Sequence, residues 1–138
     1  MKKIILRGRK VYGGSAEGEA LVTKEGLGGM GVFDVDTGTV IELGNDWLNQ
    51  NVSGKILVFR TGRGSSSWSI WHQALRFAGH APKAHIVKEC NAQAALGAVV
   101  LRIPSITDLE QDPTEIISTG DWVKVDADKG VVEVTKKD

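Results

Sequence analysis

The sequence predicts a mixed α/β domain in which two β layers share one helical layer. Three observations lead there: short apolar runs punctuated by glycine over the first half, a strand–loop–helix–strand unit in the middle, and an alternating hairpin near the end. At 138 residues and 14.8 kDa the chain has the size of one domain, residues 1–138, with room for a single core.

A strand over residues 3–11 comes first, ended by Gly13-Gly14. A second runs through residues 19–23. It is followed by Gly26-Leu27-Gly28-Gly29-Met30-Gly31, a loop too flexible for regular structure without tertiary support. Asp34-Val35-Asp36-Thr37-Gly38 has the chemistry of a tight turn and leads into the short apolar stretch 39–43. Its aspartates are read as turn formers, because the ligand-rich loop of an EF-hand is absent. Residues 55–59 are apolar enough for a strand buried on both faces. After a loop over 60–64, residues 66–78 place Ile70, Trp71, Ala74, Leu75 and Ala78 at the spacing of one helical face. Gly79 and Pro82 supply the helix stop. A strand over 84–87 completes a βαβ unit, whose crossover is expected to be right-handed. A short helix over 92–96 then precedes a buried strand over 97–101. The pattern loosens through Ile103-Pro104-Ser105 and the acidic residues 108–115. Residues 122–126 and 131–134 flank Ala127-Asp128-Lys129-Gly130 as a hairpin.

Charge and cysteine content exclude several function classes. Lys+Arg and Asp+Glu are both 17, so neither nucleic acid nor membrane is expected as a partner. The single cysteine, Cys90, leaves a disulfide framework, a Cys-rich zinc site and a self-contained iron–sulfur cluster without ligands. No metal-binding residue is expected here. The start, Met1-Lys2-Lys3-Ile4-Ile5-Leu6-Arg7, is basic but has only three apolar residues before the next charge, and no later stretch approaches a membrane span. A cytoplasmic location is expected. Glycine, at 17 of 138 residues, exceeds a background of roughly 7% and is the one anomaly.

The segment that carries chemistry is Thr61-Gly62-Arg63-Gly64-Ser65-Ser66-Ser67, between the buried strand and the helix. A helix N-terminus has unpaired N–H groups and a positive dipole end, so glycines and serines there suit an anion. Gly62 and Gly64 let backbone approach a ligand, and Arg63 adds a charged fork for a carboxylate or phosphate. A dinucleotide fingerprint would need glycine where Ser67 stands, and a P-loop would need lysine before the final Ser or Thr. A hydrolase elbow around Ser66 would need glycine where Trp68 stands. The remaining alternative is that the serines merely cap the helix.

Gly62-Arg63-Gly64-Ser65-Ser66-Ser67, with the earlier Tyr12-Gly13-Gly14-Ser15-Ala16-Glu17-Gly18-Glu19-Ala20 and the later Ala95-Leu96-Gly97-Ala98-Val99-Val100, resembles the small subunit of the aconitase X family. That family is similar to aconitase, in which a swivelling β/β/α domain lays a Gly-Ser-Ser loop over an iron–sulfur site belonging to other domains. The resemblance implies an α/β fold of three layers, a hydro-lyase subunit active only with a large subunit, and an iron–sulfur cluster bound by that large subunit. It makes Ser65 the proton-abstracting base, with Arg63, Gly64, Ser66 and Ser67 binding a small anionic hydroxy acid. Aconitase follows its two serines with an arginine; Ser67 occupies that place here, and Arg63 is the nearest replacement. A serine hydroxyl ionises far above neutral pH, so the role needs helix-terminal N–H groups, the Arg63 charge and exclusion of water to stabilise the alkoxide. Iron in the partner would act as Lewis acid on the leaving hydroxyl. The family's substrates are cis-3-hydroxy-L-proline, giving Δ1-pyrroline-2-carboxylate, and mevalonate 5-phosphate. The bulky continuation Trp68-Ser69-Ile70-Trp71 favours the first. The different-class alternative is a non-catalytic anion-binding module.

Other residues invite attention. His72, one helical turn past the serines, is within reach of the site, although an exposed or partner-facing position is the favoured reading. His80, His85 and Cys90 share no metal-ligand spacing and are read as structural, with Cys90 half-buried. Trp71 is expected in the core, and Trp68 either there or against substrate or large subunit. Glu17 and Glu19 either project toward the cleft or belong to a tight strand connection.

Overall fold

In the computed structural model, which describes residues 2–138, the expected first strand is two strands hinged at Gly8: β1 (Lys3–Arg7) and β2 (Arg9–Tyr12). Met1, at the head of the basic start, lies outside the described residues. A Cβ at position 8 would sit 2.6 Å from both Leu109 Cδ2 and the Thr107 carbonyl oxygen, so the corner accepts only glycine. β1 pairs antiparallel with β10 (Val131–Thr135), and β2 pairs antiparallel with β8 (Ser105–Thr107). With β3 (Ser15–Val22), β6 (Ile56–Phe59), β7 (Ala84–Val87) and β9 (Trp122–Asp126), the order is β1-β10-β9-β3-β6-β7-β8-β2. One residue joins the strands at opposite ends of this order, so the sheet must fold over on itself into two layers.

β3 forms the second corner. Its residues 15–19 pair antiparallel with β9, whereas residues 20–22 pair parallel with β6. One layer is therefore antiparallel and the other is built on parallel β3, β6, β7 and β8. Leu6, Val123, Val125, Val132 and Val134 of the first meet Ile56, Val58, Ala84, Ile86 and Ile106 of the second in one buried cluster. Alternation along β6 sends Leu57 and Phe59 the other way, against Trp68 and Leu75 of α1 (Trp68–Phe77) and Ala94 of α2 (Ala92–Leu101). All four residues of β6 are buried, as a strand covered on both faces requires. Each such large side chain contributes about 1.5–3 kcal/mol. The three layers run β/β/α, as expected.

Between β3 and β6, a small hairpin of β4 (Phe33–Asp34) and β5 (Thr39–Val40) closes over the expected turn, with Gly38 N–H donating to the Asp34 carbonyl at 2.8 Å. Val32, Phe33, Val40, Trp47 and Val52 bury themselves beside the helices.

Several expectations need correcting. Residues 97–101, expected as a strand, complete α2. Asn91 caps that helix by accepting from Ala94 N–H at 3.0 Å, and Arg102, at φ 56°, ends it. Its β-branched end suggested a strand, but packing against α1 decides the matter. α1 buries Trp68, Ser69, His72 and Leu75, of which only Leu75 belongs to the expected face, and Ile70 is 63% exposed. The loosened region hides β8 and the short α3 (Pro113–Ile116), whose cap is Asp112. β8 pairs on both sides, yet its three residues are too few for a pattern to show.

Candidate active site

The serine loop leaves the carboxyl end of β6 and enters α1, the edge of a parallel sheet where ligands bind. Gly62 is buried; Arg63, Gly64, Ser65 and Ser66 are exposed and Ser67 is half-buried. Gly64 takes φ +98°, a left-handed conformation that opens the loop outward, with nothing within 4 Å of where a Cβ would stand. Ser67 is the N-cap residue of α1 but makes no side-chain capping bond, contrary to a purely capping role. Its hydroxyl lies 2.7 Å from Ser65 Oγ, and its N–H donates to the same oxygen at 3.3 Å. With Ser67 as donor in both contacts, Ser65 Oγ receives two hydrogen bonds at the positive end of a helix. That combination lowers the cost of negative charge on the oxygen.

The floor beneath the loop is the glycine-rich segment, which finds the tertiary support it lacks alone. Leu27 N–H donates to the Thr61 carbonyl at 2.8 Å and Arg63 N–H to the Leu27 carbonyl at 2.9 Å. Trp68 Nε1 donates to the Leu27 carbonyl at 2.6 Å, and His72 Nε2 to the Gly28 carbonyl at 3.0 Å. A Cβ on Gly29 would stand 3.0 Å from Trp68 Cα, so this segment lies directly against the start of α1. From the other side, Asn91 Nδ2 donates to the Gly62 carbonyl at 2.6 Å and Gln93 Nε2 to the Gly64 carbonyl at 2.9 Å. Arg63 Nε donates to the Gly26 carbonyl at 3.0 Å, and its Nη2 pairs with Glu42.

Asn91, Gln93 and Glu42 escaped the sequence reading. An asparagine opening an alanine-rich helix was a legible cap signal. Nothing at Glu42 points to a residue twenty-one positions away.

The other expected residues fall outside the loop's exposed face. Trp68 is buried at 1% exposure and stacks on His72, ring centroids 3.6 Å apart, so it belongs to the core. Trp71 is only half-buried. His72 and His85 are fully buried in an aromatic cluster with Phe33 and Phe59. His72 is therefore part of the floor. Cys90 is half-buried, and burial pushes its thiol pKa up, away from nucleophile chemistry. Glu17 and Glu19 are exposed in the half of β3 that pairs with β9, and Glu17 accepts from Trp122 Nε1 at 3.0 Å. Glu17 stands five residues, about 16 Å, back along the strand from Val22.

The buried imidazoles carry a pH signature. Burial lowers His72 from 6.5 to about 4, against the opposing effect of its bond to Gly28. Burial, reinforced by His72, puts His85 well below 6.5. Both are neutral when folded and bind protons near pH 6.5 when unfolded, so stability is full above that pH and falls as pH drops toward 4. His72 alone removes about 3 kcal/mol by pH 4. Urea unfolding midpoints measured from about pH 7 to pH 5 should fall; a flat midpoint contradicts the neutral pair.

Among the described residues, no set of three or more His, Cys, Asp and Glu stands close enough to hold a metal ion. The residues present do not fit an iron–sulfur cluster. No helix among them is long and apolar enough to cross a membrane.

Comparison with known proteins agrees with this architecture. The model of the aconitase X swivel domain matches residues 5–134. The phosphomevalonate dehydratase small subunit of Thermococcus gammatolerans is 43% identical over 129 residues, covering 94% of this chain and 96% of that protein. Its namesake from Methanosarcina acetivorans is 36% identical over 136 residues, 99% of this chain and 94% of that one. The crystal structure of Thermococcus kodakaraensis aconitase X in its holo-form superposes with a TM-score of 0.89 at 40% identity, covering 96% of this chain and 99% of that chain. A folded-over β/β/α domain, a serine loop at the carboxyl edge of its parallel strands and these matches across nearly the whole length place the chain in the aconitase X swivel-domain family.

Proposed function

We propose that this chain is the small subunit of a dehydratase acting on mevalonate 5-phosphate, with Ser65 as the base that removes the proton. The single observation that carries the chemistry is the Ser65 oxygen placed to accept both the hydroxyl and the N–H of Ser67 at the start of α1. The substrate follows the relatives, which are named for phosphomevalonate. The order expected from the sequence, with cis-3-hydroxy-L-proline first, is thereby reversed. The aromatic residues behind that preference do not support it: Trp68 is buried in the core and Trp71 is half-buried.

Gly64 and Ser66 expose backbone and hydroxyl to an anionic substrate, and Ser67 holds the base. Arg63 keeps three of its five N–H groups after bonding Gly26 and Glu42. The described residues do not compose a site for an iron–sulfur cluster; in this reading a large subunit would hold it, and it would supply the Lewis acid for the leaving hydroxyl. This chain's share is to hold the substrate's anionic groups and to accept a proton at Ser65 Oγ.

Co-expression with a large aconitase X subunit and assay on both acids tests the reading. Loss of one water from mevalonate 5-phosphate, with none from cis-3-hydroxy-L-proline, is the expected result. Turnover of the proline alone overturns the substrate, and turnover of neither overturns the function.

A further inference from the structure

We propose that Glu42 is a positioning residue of the anion site: it holds the Arg63 guanidinium against the floor of the serine loop and offsets its charge. Arg63 then offers the substrate directed N–H donors instead of an unbalanced cation. This rests on the serine loop being the substrate site.

Three contacts define the arrangement. Arg63 Nε donates to the Gly26 carbonyl at 3.0 Å, its Nη2 bonds Glu42 Oε1, and Asn45 Nδ2 donates to that same carboxylate oxygen at 3.2 Å. The side chain of Glu42 is 27% exposed and that of Arg63 47%, so the carboxylate is the more buried member of the pair. The floor is shaped around the guanidinium: a Cβ at Gly28 would come within 2.9 Å of Arg63 Nη1. The clasp therefore ties together the glycine segment, the segment after β5 and the serine loop.

The adjoining cavity, about 370 Å³, shows which side of Arg63 is left for an anion. It is lined by Glu25, Glu42 and Asp46 against the single cation Arg63, a balance that repels phosphate. The substrate's anionic group is thus left the serine side. There, an acidic group behind the guanidinium weakens anion binding by its charge while strengthening it through orientation.

The two effects have opposite signs and can be separated. Glu42→Gln keeps the shape and removes the charge; Glu42→Ala removes both. The assembled enzyme, small and large subunits together, is assayed on mevalonate 5-phosphate with inorganic phosphate as competitive inhibitor. Glu42→Gln should lower both KM and the phosphate inhibition constant by about three- to tenfold, the effect of a unit charge about 6 Å away when solvent screening raises the effective dielectric to about 40–80. Glu42→Ala should raise both by about tenfold. A purely structural Glu42 would not tighten anion binding in the Gln variant. An unchanged or raised inhibition constant for Glu42→Gln overturns the proposal. Arg63→Ala tells the two failures apart. If it raises KM while Glu42→Gln does nothing, only the role of Glu42 fails; if it leaves KM and phosphate inhibition untouched, the substrate-site reading of Arg63 fails with it.

Discussion

Ser65→Ala is expected to lower kcat of the assembled dehydratase by about 10³-fold or more, within the range for loss of a general base, while leaving assembly with the large subunit intact. The side chain is exposed and its hydroxyl bonds only Ser67 within the loop, so its removal leaves no buried group unsatisfied. The backbone position of residue 65 is fixed by other groups. Its carbonyl accepts Trp68 N–H at 3.2 Å, and Asn91 and Gln93 hold the neighbouring Gly62 and Gly64 carbonyls. The loop should therefore keep its shape. Ser67→Ala provides the graded control: it removes one of the two donors to Ser65 Oγ and keeps the N–H, so a fall of about 10- to 100-fold is expected, smaller than for Ser65 itself. Steady-state kinetics on mevalonate 5-phosphate, with size-exclusion chromatography to confirm the complex, checks both. Near-normal turnover by Ser65→Ala in an intact complex removes Ser65 as the base.

Local pattern and tertiary context divide the legibility of this fold. The strand over β6, the helix of α1, its Gly79 stop and the β9–β10 hairpin follow from periodicity and turn chemistry, which act over a few residues. What periodicity missed depends on contacts between distant segments. The apolar face of α1 was misassigned because Trp68 and His72 are drawn inward by carbonyls of a glycine segment some forty residues earlier. The folding-over of the sheet was invisible in strand signals alone, since it is imposed by Gly8 and by a β3 that changes partners midway. The serine loop itself was legible, because glycines and serines between a strand and a helix have few other uses. Its supports were not: Glu42, Asn91 and Gln93 reach it from segments with no common pattern.

The contact that turned residues 97–101 into helix also yields the largest stability effect expected of a single substitution. Gly97 sits on α2 directly against Trp68 of α1; a Cβ there would fall inside the indole, with Cε3 at 2.8 Å, Cη2 at 3.0 Å and Cζ3 closer still. Alanine is otherwise the better helix former by about 1 kcal/mol, so an exposed glycine at this place would gain from the change. Here the obstruction is a rigid ring with no room to turn: Trp68 is 1% exposed, bonded through Nε1 to Leu27 and stacked on His72. Gly97→Ala must therefore push α1 and α2 apart or break that bond, and overpacking of this kind costs about 3 kcal/mol. Because Trp68 opens α1 immediately after Ser67, the displacement passes into the serine loop, and turnover should fall alongside stability. Urea unfolding of the small subunit measures the first effect. Trp68→Phe combined with Gly97→Ala supplies the check on cause: the smaller ring makes space, so the double variant should lose less than the sum of the single losses. Strict additivity, or a Gly97→Ala variant as stable as the parent, would show that the two helices do not meet through this glycine.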